Sequence, residues 1–413
     1  MFNRFRWQLL GGSIFIAIAL LVLLRAPSIR DRLAWRIDRT MTYLRGVIDP
    51  VQPPPTPLPP PQVTTISRLP TASGADLSVP QPSPSPTPPV SPTPIPSQVT
   101  LTSPAWERQD INNCGPAALA MYLRFFGWEG DQFDIANLLK PQRDDRNVNV
   151  EELAYYVRTR AGWLQIEYRV GGNLSLLKQI LALGIPVMIE ESFYFDSPFY
   201  PNDDLWAAHY NLLTGYDDLT QTFISQDSYH GANLSVSYQQ VEEYWQPFNH
   251  VYMLVYPPQF QQQIQAVLGE DWDVTQNRQR ALEATQHETK ANSQNAFSWF
   301  NLGTNLVYFE RYADAALAYD QARQLGLPQR MYRYQFGPFF AYFHSGRLDD
   351  LMAIVDYALK RTPNSEEALL WRGWAYYRKG DLNAAIADFR AALEQNPNYQ
   401  DAQYALDFVL HNP

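Results

Sequence analysis

Gln109-Asp110-Ile111-Asn112-Asn113-Cys114-Gly115-Pro116, followed by Ala117-Ala118-Leu119-Ala120-Met121-Tyr122-Leu123, sets the only cysteine of the chain at the start of a helical run. Pro116 suits an early helical position, where its missing N–H would be unpaired anyway. A thiol there meets the positive end of the helix dipole. With an imidazolium nearby, such placement lowers a thiol pKa from about 8.5 into the range of roughly 3.5–7.5. An oxyanion formed at that sulfur would meet the Cys114 backbone N–H and the side-chain amide of Gln109, five residues upstream. Alone, a single cysteine reads as a small buried hydrophobe and a glutamine as a surface residue.

Two later segments supply partners. His209 opens the apolar, strand-like run His209-Tyr210-Asn211-Leu212-Leu213-Thr214-Gly215-Tyr216, and Asp227 closes the next one, Thr222 to Asp227. Asp217-Asp218-Leu219 between them is a turn signal. In a hairpin centred at Asp218, residues 209 and 227 are directly opposed, with Cβ atoms about 4.5–5.5 Å apart on one face. A slip of one residue would send them to opposite faces. Cysteine, histidine and carboxylate in this order are the parts of a cysteine nucleophile system. Individually, His209 reads as a satisfied core histidine and Asp227 as a turn former.

The segment from Gln109 to Leu123, the His209 strand ending in Gly215-Tyr216-Asp217-Asp218, and the turn Gln226-Asp227-Ser228-Tyr229-His230-Gly231 resemble the bacteriocin-processing (double-glycine) peptidases. The resemblance covers roughly residues 100–258 and implies a papain-like α+β fold. It makes Cys114 the nucleophile, His209 the general base and acid, Asp227 the histidine-orienting residue and Gln109 the oxyanion-hole residue. Ser228 departs from the proline often found after the aspartate. No exporter portion accompanies the domain in this sequence, so the resemblance implies a thiol peptidase without fixing a double-glycine substrate.

Outward from that core the composition changes sharply. Residues 7–24 carry no charge and are rich in Ile, Leu, Val and Ala, long enough at helical rise nearly to span a bilayer. With no small-x-small cleavage site following, they read as a membrane anchor. Leu33, Ile37, Met41, Leu44 and Val47 then form one stripe among arginines, as in a helix lying in the headgroup layer or one simply continuing the anchor. Residues 50–98 hold 18 of the 33 prolines and read as an unpacked tether. The arginines after residue 24 favour a cytoplasmic body, whereas the Pro/Ser/Thr-rich stalk favours an extracytoplasmic one, which is the expectation adopted.

Helical periodicity at 115–126, 132–139, 150–161 and 174–183 precedes strand-like runs at 164–170, 185–190, 209–216, 222–226, 233–238 and 250–256. Helices first and strands mostly afterwards predict a segregated α+β domain. In the last part of the chain, Gly346 and Gly380, Ala358 and Ala392, and Pro363 and Pro397 each recur after 34 residues, and Trp299, Leu302-Gly303, Ala315 and Ala322 form an earlier copy. This resembles the tetratricopeptide repeat over residues 294–397. Phe339 and Leu351 replace the expected Gly and Ala in the middle copy, which should pack more widely there, and residues 398–410 should cap the stack. The expected organisation is an anchor and amphipathic helix (1–48), a disordered linker (49–99), the peptidase domain (100–258), a helical connector (259–293) and the repeats (294–413).

The aromatic insert from Phe193 to Trp206 precedes His209 and is a candidate substrate wall, or else a loop packing its own rings. Glu190-Glu191, at the end of the Pro186–Ile189 strand, is a candidate reader of a cationic substrate group, with a solvated edge as the expectation adopted. The other histidines, His230, His250, His287, His344 and His411, lack metal-ligand spacing, and no cofactor motif occurs. A net charge of −10 without a basic stretch argues against nucleic acid. The expected function is a membrane-anchored cysteine peptidase acting on a peptide or protein, with a protein partner on the repeat groove. The alternatives are an inactive tethered adaptor and a thiol enzyme that transfers the acyl group to an amine.

Overall fold

Three short helices begin the globular part, each started by local chemistry. Asp131 and Asn149 form reciprocal capping boxes with Asp134 and Glu152, fixing the starts of α3 (Gln132–Leu139) and α4 (Val150–Arg160). Asn113 flanks the first of the three, α2 (Cys114–Phe125), but makes no side-chain cap. The structure is a computed structural model that describes residues 27–59, 95–143, 145, 147–197, 202 and 204–411. The expected membrane span at 7–24 lies outside these residues. Among the described residues no helix is long and apolar enough to cross a membrane.

A seven-stranded antiparallel sheet follows: β1 (Gln98–Thr100), β2 (Gln165–Arg169), β3 (Val187–Tyr194), β4 (Trp206–Asp217), β5 (Thr222–Asp227), β6 (Gly231–Ser237) and β7 (Tyr252–Tyr256). The strand order is β2-β7-β3-β4-β5-β6, with β1 pairing residues 215–217 of β4. α5 (Leu174–Ala182) interrupts the strands, and α6 (Tyr238–Trp245) was hidden in sequence because only Tyr238, Val241 and Trp245 turn inward. One core cluster joins α2 and α4 to one sheet face. The other face packs on α5, α6 and α7 (Gln261–Leu268) through residues such as Leu177, Ile180, Tyr216 and Trp245.

The β4–β5 hairpin differs from the expected symmetry. Asp217 pairs with Thr222, so the turn comprises residues 218–221, and a bulge between Leu213 and Gly215 shifts the register to Leu212 with Gln226. Extending that register, Asp227 lies across from Asn211 and diagonal to His209. The displacement is two residues, so the face is preserved. Diagonal neighbours remain within reach of long side chains.

α8 (Val274–Ala291) leads into paired helices: α9 (Ala296–Tyr308) with α10 (Tyr312–Leu325), α11 (Gly337–His344) with α12 (Leu348–Arg361), α13 (Glu366–Arg378) with α14 (Leu382–Gln395), and the terminal α15 (Gln400–His411). Gly373 admits the Phe389 ring, which would lie 2.4 Å from an added Cβ. In the middle copy Phe339 is fully buried, and α11 is short because residues 326–336 form a loop with a 3-10 turn at Met331–Arg333.

The repeats are not a separate bead. Asn249 and Asn305 exchange a 2.8 Å hydrogen bond, Asn301 donates to the Gln246 carbonyl, and Asn396 donates to the Leu139 carbonyl. The beginning of the Pro-rich stretch also departs from the expected unpacked linker. After α1 (Pro27–Ile48), residues 49–58 hydrogen-bond along the repeats, because their unpaired carbonyls meet a row of side-chain donors.

Gly215 lies where β1 crosses β4, and a Cβ there would stand 2.5 Å from the Val99 carbonyl oxygen and 2.9 Å from Ile224 Cδ1. Gly215→Ala is expected to destabilise the protein by about 1–3 kcal/mol, the usual cost of overpacking, seen as a lower urea midpoint with an unchanged slope.

Candidate active site

The loop before α2 is built by one buried residue that sequence reading overlooked. Gln132, at the start of α3, accepts hydrogen bonds from the Asp110 backbone N–H and the Asn113 side chain, each at 2.7 Å. Its own amide donates to Glu107 and to the Arg108 carbonyl. Lys140, also buried, donates to the Asn112 and Asp145 carbonyls at 2.9 and 2.8 Å. Asn112 is left-handed at φ 54°, which turns the chain into the helix. With the Asn113 side chain engaged by Gln132, the first N–H groups of α2 lack a side-chain cap and face the region of the half-buried Cys114.

Opposite stands the buried His209, whose Nε2 meets Asp227 Oδ1 at 3.0 Å. The other ring nitrogen is thereby left for the Cys114 thiol, and each of the two groups shifts the other's proton affinity. Asp227 Oδ1 also accepts the Tyr229 and His230 backbone N–H groups at 2.7 and 3.0 Å. Oδ2 meets His230 Nδ1 at 2.8 Å, a second histidine on the same carboxylate that metal-oriented reading of the sequence passed over. Trp106 Nε1 donates to the Asp227 carbonyl.

The charges follow from this packing. Burial pushes the Cys114 thiol up, but the neighbouring His209, the Tyr210 backbone and Lys140 outweigh it and hold the thiol below its ordinary value. Burial opposes a charged His209 ring, yet the Asp227 carboxylate and then Cys114 raise it well above the usual histidine range. Asp227, despite burial, is held well below the usual carboxylate range by His209 and His230. The arrangement favours a thiolate–imidazolium pair.

Gln109 is tied to the turn that carries Asp227. Its backbone N–H donates to the Ser228 carbonyl, and the Ser228 hydroxyl donates to Gln109 Oε1, both at 2.9 Å. Serine in place of proline after the aspartate therefore has a use: it fixes the Gln109 oxygen and leaves the amide nitrogen as a donor. The structure thus pairs His209 with Asp227 on the side of Cys114 and bonds Gln109 to Ser228, the residue after Asp227. Among the described residues, no group of three His, Cys, Asp or Glu side chains gathers as a metal cage requires.

The aromatic insert divides its roles. Phe193 lies with ring centroids 5.3 Å from His209, 5.0 Å from Tyr229 and 5.1 Å from His230, so it walls the imidazole. Trp206 is core, stacked on Phe248. The solvated edge expected at Glu190-Glu191 is overturned: β3 is an interior strand, and both residues are buried. Glu191 accepts from Asn211 at 2.8 Å, and burial pushes it up to about 7. Burial, and then the charges of Cys114 and Glu151, raise Glu190 well above the usual carboxylate range, against a smaller opposing effect of Tyr210.

Helices packed before an antiparallel sheet, with a helix-start cysteine facing a strand histidine, define a cysteine-peptidase fold. Residues 93–253 match the Peptidase_C39 like family, and residues 366–399 match the tetratricopeptide repeat. The chain thus carries a domain of the Peptidase_C39 like family joined to tetratricopeptide repeats. Among solved structures it is similar to a C39-like peptidase from Bacillus anthracis, at 17% identity over 38% of this chain and 96% of that one, TM-score 0.31. It is also similar to xylellain, a cysteine protease from Xylella fastidiosa, at 15% identity over 40% of this chain and 87% of that one, TM-score 0.32. A stretch of 62 residues is 44% identical to Tetratricopeptide repeat protein 14 of Mus musculus, covering 15% of this chain and 8% of that protein's length.

Iodoacetamide is expected to alkylate Cys114 of the native protein well below the ordinary thiol pKa, with the inflection moving to higher pH in His209→Ala; mass-spectrometric rate profiles check this. Glu191 binds its proton more tightly folded than unfolded, so stability falls as pH rises from about 4.5 toward about 7. Glu191→Gln keeps the Asn211 bond and should remove that decline, a gain of roughly 1–3 kcal/mol at pH 8 relative to pH 4, read from unfolding midpoints across pH.

Proposed function

We propose that this chain is a membrane-tethered cysteine peptidase. The observation that carries the reading is the buried His209–Asp227 pair, bonded at 3.0 Å, opposite a half-buried Cys114 at the start of α2. The Cys114 thiolate attacks a peptide carbonyl carbon, and the resulting oxyanion lies between the Cys114 backbone N–H and the Gln109 amide. His209 gives its proton to the leaving amine. It then takes one from the water that attacks the thioester and frees the acid. Asp227 keeps the ring oriented and its charge compensated. The substrate is a peptide or protein, and the repeats hold a protein partner.

Tethering rests on residues 7–24 and on α1, where Ile37, Met41, Leu44 and Val47 form a stripe about half exposed to solvent. A surface of that kind suits the headgroup layer. The body then stands outside the cytoplasm at the end of the Pro/Ser/Thr-rich stalk. Protease added to intact cells should cut the body if that orientation is right and spare it otherwise.

The decisive comparison is mass spectrometry of cells carrying the native chain or Cys114→Ala, in which at least one protein should lose a processing event. On that substrate, Asp227→Asn should lower kcat by roughly 10²–10⁴-fold with KM little changed, since the carboxylate orients the base rather than binding substrate. An unchanged kcat would overturn the role given to Asp227, and the absence of any Cys114-dependent processing would leave the inactive-adaptor reading standing.

A further inference from the structure

Residues 49–59 read Asp-Pro-Val-Gln-Pro-Pro-Pro-Thr-Pro-Leu-Pro, and every one of them except Val51 is a proline or precedes one. Proline fixes φ and removes the N–H, and the residue before it is pushed to extended backbone. Such a chain offers carbonyl oxygens and few donors. It turns once every three residues, so one edge presents every third carbonyl.

The repeats answer that pattern. Arg361 donates to the Asp49 and Pro50 carbonyls at 3.1 and 2.8 Å, and the Tyr357 hydroxyl donates to Gln52 at 3.0 Å. Arg323 grips the Pro55 carbonyl with Nε and Nη2 at 3.1 and 2.6 Å, and Arg347 reaches Leu58 at 3.4 Å. Apart from Pro50, which shares Arg361 with Asp49, the bonded carbonyls at 49, 52, 55 and 58 are spaced by three. Val51 is buried, and Pro54 and Pro57 are half-buried, the same period on the adjoining edge. One of the few available amides, Leu58 N–H, meets an acceptor, Asp350 Oδ1, at 3.0 Å.

The donors are set in advance. Arg323 and Arg347 are almost fully buried and held by Asp320, Asp350 and the Tyr342 hydroxyl, which donates to Asp320 and accepts from Arg323. Rigid, planar guanidinium groups lose little freedom when a carbonyl arrives. These residues lie on α10 and α12, the second helices of two successive repeats, or at the start of α12. The first helices α9 and α11 contribute none of the named donors to the segment's carbonyls, Tyr342 of α11 serving only to hold Arg323 and Asp320.

We propose that this face is a polyproline-reading site that holds the chain's own segment 49–58 as a built-in ligand and accepts an extended, proline-rich peptide in trans once that segment is displaced. It is independent of catalysis, and Cys114→Ala should bind like the native chain.

The probe is a fluorescent peptide of residues 49–59, followed by anisotropy against the full chain. A variant with residues 51–58 replaced by Gly and Ser should bind it at least about tenfold more tightly than the native chain, whose tethered segment competes at an effective concentration near millimolar. A control peptide with glycine for every proline should bind roughly tenfold more weakly for want of preorganisation, and Tyr357→Phe in the Gly/Ser variant should weaken binding. A folded Gly/Ser variant that ignores the peptide, or equal binding of the glycine control, overturns the proposal. Should that variant not fold, hydrogen exchange on the native chain decides: the Leu58 amide should exchange at least about tenfold more slowly than that of Thr56, and equal rates overturn it. A native dimer with exchanged segments would refute occupation within one chain.

Discussion

The carboxylate of Asp227 is the constraint on which the candidate site depends. One oxygen takes the His209 ring and two backbone N–H groups; the other takes His230. An ionised, largely buried carboxylate is costly unless its lone pairs are filled, and here bonds to the turn and to two imidazoles fill them. That grip fixes the ring of His209, the ring fixes the protonation of the thiol, and the thiol lies where α2 leaves its first amides uncapped. Each part has its electrostatic meaning only because the preceding one is held.

The parts of this system were legible in the sequence to unequal degrees. Helix starts were plain because Asp131, Asn149 and Pro116 carry their own local chemistry. The strand face of His209 and Asp227 was also recoverable, although the register was not. The bulge near Thr214 and the four-residue turn shift the pairing by two, and an even shift leaves side chains on the expected face. Glu190 and Glu191 misled because two adjacent acids read as solvated, whereas β3 is paired on both edges by β4 and β7. Their burial depends on strand order, which no local pattern encodes. Gln132 and His230 were missed for the same reason: each acts on a loop or side chain brought to it by the fold.

The proline-rich segment teaches a related point. Its composition correctly denied it a packed core of its own, but a chain without donors can still be ordered by a surface that supplies them. What decides is the partner, and that partner lies about 270–310 residues further along the sequence.

The core cluster that begins at Ala118 in α2 continues without a break through Phe300, Tyr319 and Phe389 to Val409 near the end of the last helix. Repeat arrays ordinarily tolerate the gain or loss of units, since each unit touches only its neighbours. Here the array shares its interior with the scaffold of the cysteine. Recombination that inserted or removed a repeat would have to re-form the wall behind that scaffold, so the two halves of the molecule are bound to change together over evolutionary time.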